Sequence, residues 1–325
     1  MRQHLTIAGA LMVFLLSAVA AQSQTRLPAE TRNAALRYWL AFADLQDPPS
    51  DKSTQDLLEK TAAEETPWDE AKLGAILDQN DQAIREMQRA TKLPECDWGL
   101  EYSRGPQASV AYVPRARVLA RLNTLYGMRM MSKGQTQDAV EAWLDGVRFS
   151  QDLAKGGTLI FKLVARMSLL SNFDALTRAA QTRQLDDTQR HEIAAAVRAL
   201  PDDGFDWSKA MALEEASLEI AVRQMQHETS PAAYYQEMIG KPAPPNFSIP
   251  GPRDVAACRS LFTDAEAALR LSTKQAGTRL QEIQGRVMQL HPFFQETFPS
   301  LVKINEARSE IEALRAKLLV AAGKS

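Results

Sequence analysis

Histidine and cysteine are scarce in this sequence, with four of the first and two of the second among 325 residues. That scarcity excludes most metal and thiol chemistry. Beyond the first residues only His191, His227 and His291 remain, and none stands three or four positions from another, the spacing that two zinc ligands on one helix require. No serine sits in a nucleophile elbow, neither cysteine lies in a catalytic motif, and no glycine fingerprint could cradle a phosphate. No cofactor is indicated. Runs of lysine and arginine are missing as well, which argues against a nucleic-acid partner because phosphate contacts need clustered positive charge. Alternating strand patterns are nearly absent.

A long apolar run occurs once, at the start. "MRQHLTIAGALMVFLLSAVAAQSQ" combines an early Arg2, apolar residues from Leu5 to Leu16, and Ala18-Val19-Ala20 as a small-x-small cleavage signal. It reads as a secretory signal peptide, residues 1–21, because the run is shorter than the roughly 20 residues of a membrane span. Removing it takes away one arginine and leaves 37 basic against 40 acidic residues, a net charge of −3. The expected product is exported, periplasmic or extracellular, without stable membrane insertion. Export places Cys96 and Cys258 in an oxidising compartment, where an even pair is expected to form one bridge. Two separately buried thiols are the alternative.

What remains is helical. The coarse pattern places helices at 29–46, 53–64, 67–92, 114–132, 136–154, 157–182, 187–200, 207–228, 231–239, 253–290 and 299–321. Start signals include Thr66-Pro67-Trp68-Asp69, Ser53 with Asp56, Asp186 with Gln189, Asp206, and Ser230-Pro231. Leu301, Ile304, Ala307, Ile311, Leu314 and Leu318 recur at gaps of three or four and form one apolar stripe. "TLIFKLVARMSLLSNFDAL" is apolar around most of its circumference, which predicts a helix enclosed by others. The proline-rich "GKPAPPNFSIPGP" is a loop, either a linker or a strap held by Phe247 and Ile249. Residues 94–113 form a second irregular segment, with Trp98, Tyr102 and Tyr112 available to order it.

The carboxylate doublets Glu64-Glu65, Asp186-Asp187, Asp202-Asp203 and Glu214-Glu215 suggest acid/base hydrolysis only superficially. Adjacent residues on a helix point apart, so caps and solvated faces are the simpler reading.

From Ala120 onward, small residues fall at Gly127, Gly134, Ala139 and Gly146, with a large aromatic at Trp143. This resembles one helix-turn-helix unit of a tetratricopeptide repeat, covering residues 120–153. It departs from the family at Asn123, where a large residue is usual, and at Met130 in place of tyrosine, and the next 34 residues do not repeat the pattern. More broadly, the leader, "NAALRYWLAFADL", the hairpin and "LAKGGTLIFKLVARMSL" look like exported all-helical bacterial proteins, a likeness that implies location and fold without activity. In repeats of this kind the first helix lines the binding groove, which implies that Arg121, Thr124, Met128 and Met131 face a protein or peptide partner. The competing reading makes the two methionines core.

The sequence thus predicts an all-α protein, an irregular helical array or bundle with a tetratricopeptide-like hairpin. Residues 22–239 form its main helical domain, 240–252 a proline-rich loop or linker, and 253–325 a long C-terminal hairpin. The expected function is non-enzymatic binding or scaffolding in the bacterial cell envelope. The alternative is an all-helical hydrolase whose carboxylates meet only in the fold.

Overall fold

Side-chain caps fix where most helices begin in the computed structural model, which describes residues 31–63, 65–108, 110–182 and 185–323. The signal-peptide reading falls on residues outside these. The helices are α1 (Ala34–Asp44), α2 (Lys52–Ala62), α3 (Glu70–Gln79), α4 (Asp81–Ala90), α5 (Val113–Ser132), α6 (Thr136–Ala154), α7 (Leu159–Gln181) and α8 (Asp187–Arg198). They continue with α9 (Trp207–His227), α10 (Pro231–Ile239), α11 (Pro252–Leu269), α12 (Thr273–Val287), α13 (Pro292–Thr297) and α14 (Leu301–Ala322). Among the described residues there is no β-strand, and an isolated bridge pairs Asn33 with Glu95. The chain is an all-α, irregular helical array.

Asp186 and Gln189 form the expected capping box, and Asp206 and Ser230 cap α9 and α10. Two expected starts move. Asp51 rather than Ser53 caps α2, and Asp69 rather than Thr66 caps α3, each carboxylate accepting from first-turn amides. Two expected long helices are broken at polar side chains that bond to the backbone. Asn80 splits 67–92 into α3 and α4: its Nδ2 donates to the Ile76 carbonyl at 2.9 Å while its Oδ1 accepts from the Gln46 amide at 2.8 Å. Ser272 starts α12 afresh within 253–290.

The centre is a layer of α5, α6 and α7. Each packs on its neighbour, with α14 laid across α7 and with α1 to α4 on the α5 side. Close approach of α5 to α6 rests on Gly127, where a Cβ would stand 2.3 Å from Trp143 Nε1. Gly146 does the same for α6 and α7, since its Cβ would meet Asn172 Oδ1 at 2.4 Å. The turn between α5 and α6 passes through Gly134 at φ 74°, left-handed backbone that glycine adopts without strain. On α7 the sequence overstates enclosure, because Ile160, Leu163 and Met167 remain exposed along one side. The stripe on α14 holds: Leu301, Ile304, Ala307, Ile311 and Leu318 are buried, against α7 and α12.

Aromatic rings order the irregular segment after α4. Trp98 and Tyr112 stack at 4.5 Å, Trp98 stacks on Tyr38 at 5.5 Å, and Tyr112 on Phe161 at 5.5 Å. The Trp98 indole donates to the Asp152 carbonyl at 2.8 Å, and the Tyr102 hydroxyl donates to that of Gly156 at 2.6 Å. Asn33 clamps the segment to the start of α1: its Oδ1 accepts from the Asp97 amide at 2.8 Å and its Nδ2 donates to the Asp97 carbonyl at 2.9 Å. In the proline-rich loop Phe247 lies against Tyr235 of α10 at 5.0 Å.

The expected bridge is not formed. Cys96 and Cys258 are both free thiols, and each has its own surroundings. Cys96 lies beside the Asp152 carbonyl, 3.9 Å away, whereas Cys258 sits in α11 near Glu215 and Glu219 of α9. Burial pushes both up to about 12. Cys258 is buried as a small apolar side chain and Cys96 is half-buried.

Candidate cleft between helices α4, α5 and α6

The first helix of the hairpin has two sides, and the structure uses them differently from the repeat analogy. Thr124 is buried, donates to the Ala120 carbonyl at 3.1 Å and lies 3.5 Å from Asn172 of α7. Met128 is 8% exposed, and Met131 is half-buried against the core. Arg121 turns to α2, where its Nη2 donates to Gln55 Oε1 at 2.9 Å and Nη1 stands 4.0 Å from Glu59. Of the face assigned to a partner, Thr124 and Met128 are buried, whereas Arg121 and Met131 are half-buried, Arg121 against α2. Met128 therefore belongs to the core, while Met131 keeps part of its surface exposed.

A cleft opens instead on the opposite side of α5. Tyr126 lies two positions from both Thr124 and Met128, about 200° round the helix, and it lines an open cleft of about 260 Å³ with Arg85, Gln88, Arg89, Lys92, Asp138, Glu141, Ala142 and Asp145. Helical spacing builds its walls. Arg85 and Arg89 fall at i and i+4 on α4, with Lys92 in the turn just after it, and Asp138, Glu141 and Asp145 fall at i, i+3 and i+7 on one face of α6. A positive wall thus faces a negative one.

The inner end of the cleft is closed by pairing across it. Lys92 Nζ reaches Glu141 Oε1 at 3.0 Å and Asp145 Oδ1 at 2.8 Å. Asp145 is buried and compensated further, accepting from Thr91 Oγ1 at 2.8 Å and from Arg148 at 2.7 Å. Such a buried carboxylate is tolerable only because every side of it is met by a donor. Gln88 forms part of the floor, donating to Asn123 Oδ1 at 3.1 Å, and Asn123 donates to the Ala142 carbonyl at 2.7 Å. The departure from the repeat pattern at Asn123 thus ties α4, α5 and α6 together.

The outer end is different. Arg85 pairs with Asp81 at 2.8 Å and Arg89 with Glu86 at 2.6 Å, both within α4. Among the described residues Asp138 has no ion pair, and the Tyr126 hydroxyl between the walls has no hydrogen-bond partner. Burial, the largest influence, raises the Tyr126 phenol, with Arg85 opposing and Asp138 reinforcing the shift. The two walls face each other here without touching.

The carboxyls held above their ordinary range lie elsewhere. Burial raises Glu214, which accepts from the Leu159 amide at 2.8 Å at the start of α7. Burial also raises Glu215 and Glu266, on α9 and α11. None of the three lines the α4–α6 cleft. Of the sequence doublets, Asp202 and Asp203 pair with Arg315 at 2.9 Å and Arg308 at 2.7 Å, and Asp186 caps α8. Among the described residues no group of three or more His, Cys, Asp or Glu side chains converges as a metal site, and no helix is long and apolar enough to cross a membrane.

The cleft and the residues named from the repeat likeness lie on different sides of α5. A signal for the cleft does exist in the regular charge spacing of α4 and α6, but nothing local says that these two faces meet. An apolar row on α1, Leu36, Trp39 and Leu40, is exposed as well, yet it offers no polar group to fix a ligand's orientation. No family model matches the chain, and neither a curated protein nor a solved structure shows significant similarity to it.

Proposed function

We propose that this is a non-enzymatic binding or scaffold protein of the bacterial cell envelope, exported by its N-terminal segment, and that its tetratricopeptide-like hairpin at 120–153 serves to build the cleft. The observation that carries this reading is the open cleft itself. Its two walls bear opposite charge, its inner end is locked by Lys92, and its outer end leaves Asp138 and the Tyr126 hydroxyl available. Electrostatic walls of this kind select and orient a partner more than they supply raw affinity. A hydrolase would draw on carboxyls with displaced ionisation converging in one cavity, and the carboxyls raised here are spread over the start of α7 and the α9–α11 contact.

The test is affinity capture from an envelope extract, using wild type and Tyr126→Ala as parallel baits. The expected result is a species retained by wild type and lost by the variant, with unchanged circular dichroism. Identical captured sets would remove the cleft from the function. Turnover of a glycoside, ester or peptide panel, abolished by a carboxylate substitution, would replace the reading with the hydrolase.

A further inference from the structure

The geometry points to a protein segment of mixed charge as the occupant of the α4–α5–α6 cleft, its acidic side chain set against Arg85 and Arg89 and its basic side chain against Asp138. This rests on the binding reading above and names the partner's chemistry. At the inner end the walls already satisfy one another through Lys92, Glu141 and Asp145. At the outer end Arg85 and Arg89 keep more than half of their side-chain surface exposed, at 58% and 59%, and their partners Asp81 and Glu86 belong to the same helix. Across from them Asp138 has no ion pair among the described residues. A like-charged segment would meet attraction from one wall and repulsion from the other. An uncharged apolar segment would strip water from both walls without replacing it. A segment carrying a carboxylate and an ammonium or guanidinium group about one helical turn apart satisfies both walls, and the Tyr126 hydroxyl between them can donate to or accept from its backbone.

The probes are four rhodamine-labelled 12-residue peptides on one alanine and glutamine scaffold, with acetylated and amidated ends. One carries two Glu and two Lys in successive turns, one four Glu, one four Lys, and one no charge. Binding to the purified full chain is read by fluorescence anisotropy at low and high salt. The mixed peptide is expected to bind at least tenfold more tightly than the other three, and to weaken as salt screens the contacts. Arg85→Glu and Asp138→Lys are each expected to weaken it at least fivefold. The double reversal R85E/D138K is expected to recover at least half of the lost affinity, because it exchanges the two outermost charges while Arg89 stays in place. Both positions are on the surface, and an unchanged unfolding midpoint shows that each variant is folded.

Equal binding of all four peptides, or mixed-peptide binding that ignores both reversals, would overturn the inference. Preference for a like-charged or neutral peptide, lost in Tyr126→Ala, would overturn the mixed-charge assignment and leave the cleft as a binding site. Absence of binding by every peptide would count against the mixed-charge occupant, while the capture experiment with Tyr126→Ala still decides the broader reading separately.

Discussion

Replacing Gly127 by alanine tests whether the close approach of α5 and α6 has been understood. Two effects of opposite sign compete. Alanine is favoured over glycine inside a helix by about 1 kcal/mol, so the change would stabilise the chain if the methyl had room. It does not: the added Cβ would lie 2.3, 2.7 and 2.8 Å from three atoms of the Trp143 indole. Trp143 is itself 2% exposed and donates to the Thr124 carbonyl at 3.1 Å, so it cannot step aside into solvent. Forcing a methyl into a packed core costs about 1–3 kcal/mol, and leaving the buried indole donor unpaired adds about 1–3 kcal/mol. The net expectation is destabilisation by roughly 1–5 kcal/mol after the propensity gain is subtracted.

Gly285→Ala is the control, since it lies in α12 and its Cβ would meet nothing within 4 Å. That change should stabilise by up to about 1 kcal/mol. Urea unfolding followed by circular dichroism gives both values. Trp143→Phe combined with Gly127→Ala should recover part of the loss, showing as a non-additive coupling. The packing argument fails if the two alanine variants shift the midpoint in the same direction, or if the double variant is simply additive.

Other expectations follow from the buried polar groups. Lys162 is buried on α7, donates to the Ala154 carbonyl at 2.6 Å, and is held down to about 8 by burial, with Asp206 opposing the shift and Lys209 adding to it. The folded chain therefore releases this proton before the unfolded chain does, so the Lys162 penalty is fully present below pH 8 and is relieved as pH rises toward 10.5. Comparing urea midpoints of wild type and Lys162→Met across that window should show wild type gaining up to about 3 kcal/mol relative to the variant, and a flat difference would refute the assignment. Tyr38→Phe removes a buried 2.7 Å hydrogen bond to Asp152 and should cost about 1.5–3 kcal/mol in the same assay; a loss below about 0.5 kcal/mol would mean that water replaces the hydroxyl. Thiol titration of unreduced protein should find two reactive groups per chain after denaturation and very slow reaction before it. Finding no reactive thiol in the denatured chain would restore the bridge.

The α1–α4 region shows where local reading stops. Helix existence is a short-range property, so periodicity and caps located nearly every helix, and Asp186, Asp206 and Ser230 start them as the sequence indicates. The break at Ser272 carries a local signal, Ser272 with Gln275 three residues on, whereas the break at Asn80 was not legible. Asn80 ends one helix and begins another because its carboxamide serves Gln46, a residue distant in sequence. Trp143 and Gly127, by contrast, announce their own contact, since a large ring and a missing side chain at hairpin spacing are complementary whatever surrounds them.

The position of the proposed cleft lay beyond the sequence for a related reason. Spacing alone puts Arg85 and Arg89 on one helix face and Asp138, Glu141 and Asp145 on another, because both follow from 3.6 residues per turn. It cannot show that the two faces oppose each other, or that α2 and α7 close the side of α5 carrying Arg121, Thr124 and Met128. Burial of those residues depends on which helix arrives against them, a property of long-range packing rather than of spacing. Most helix boundaries were thus determined by interactions within a few turns, and the break at Asn80 and the cleft by which separate segments pack together.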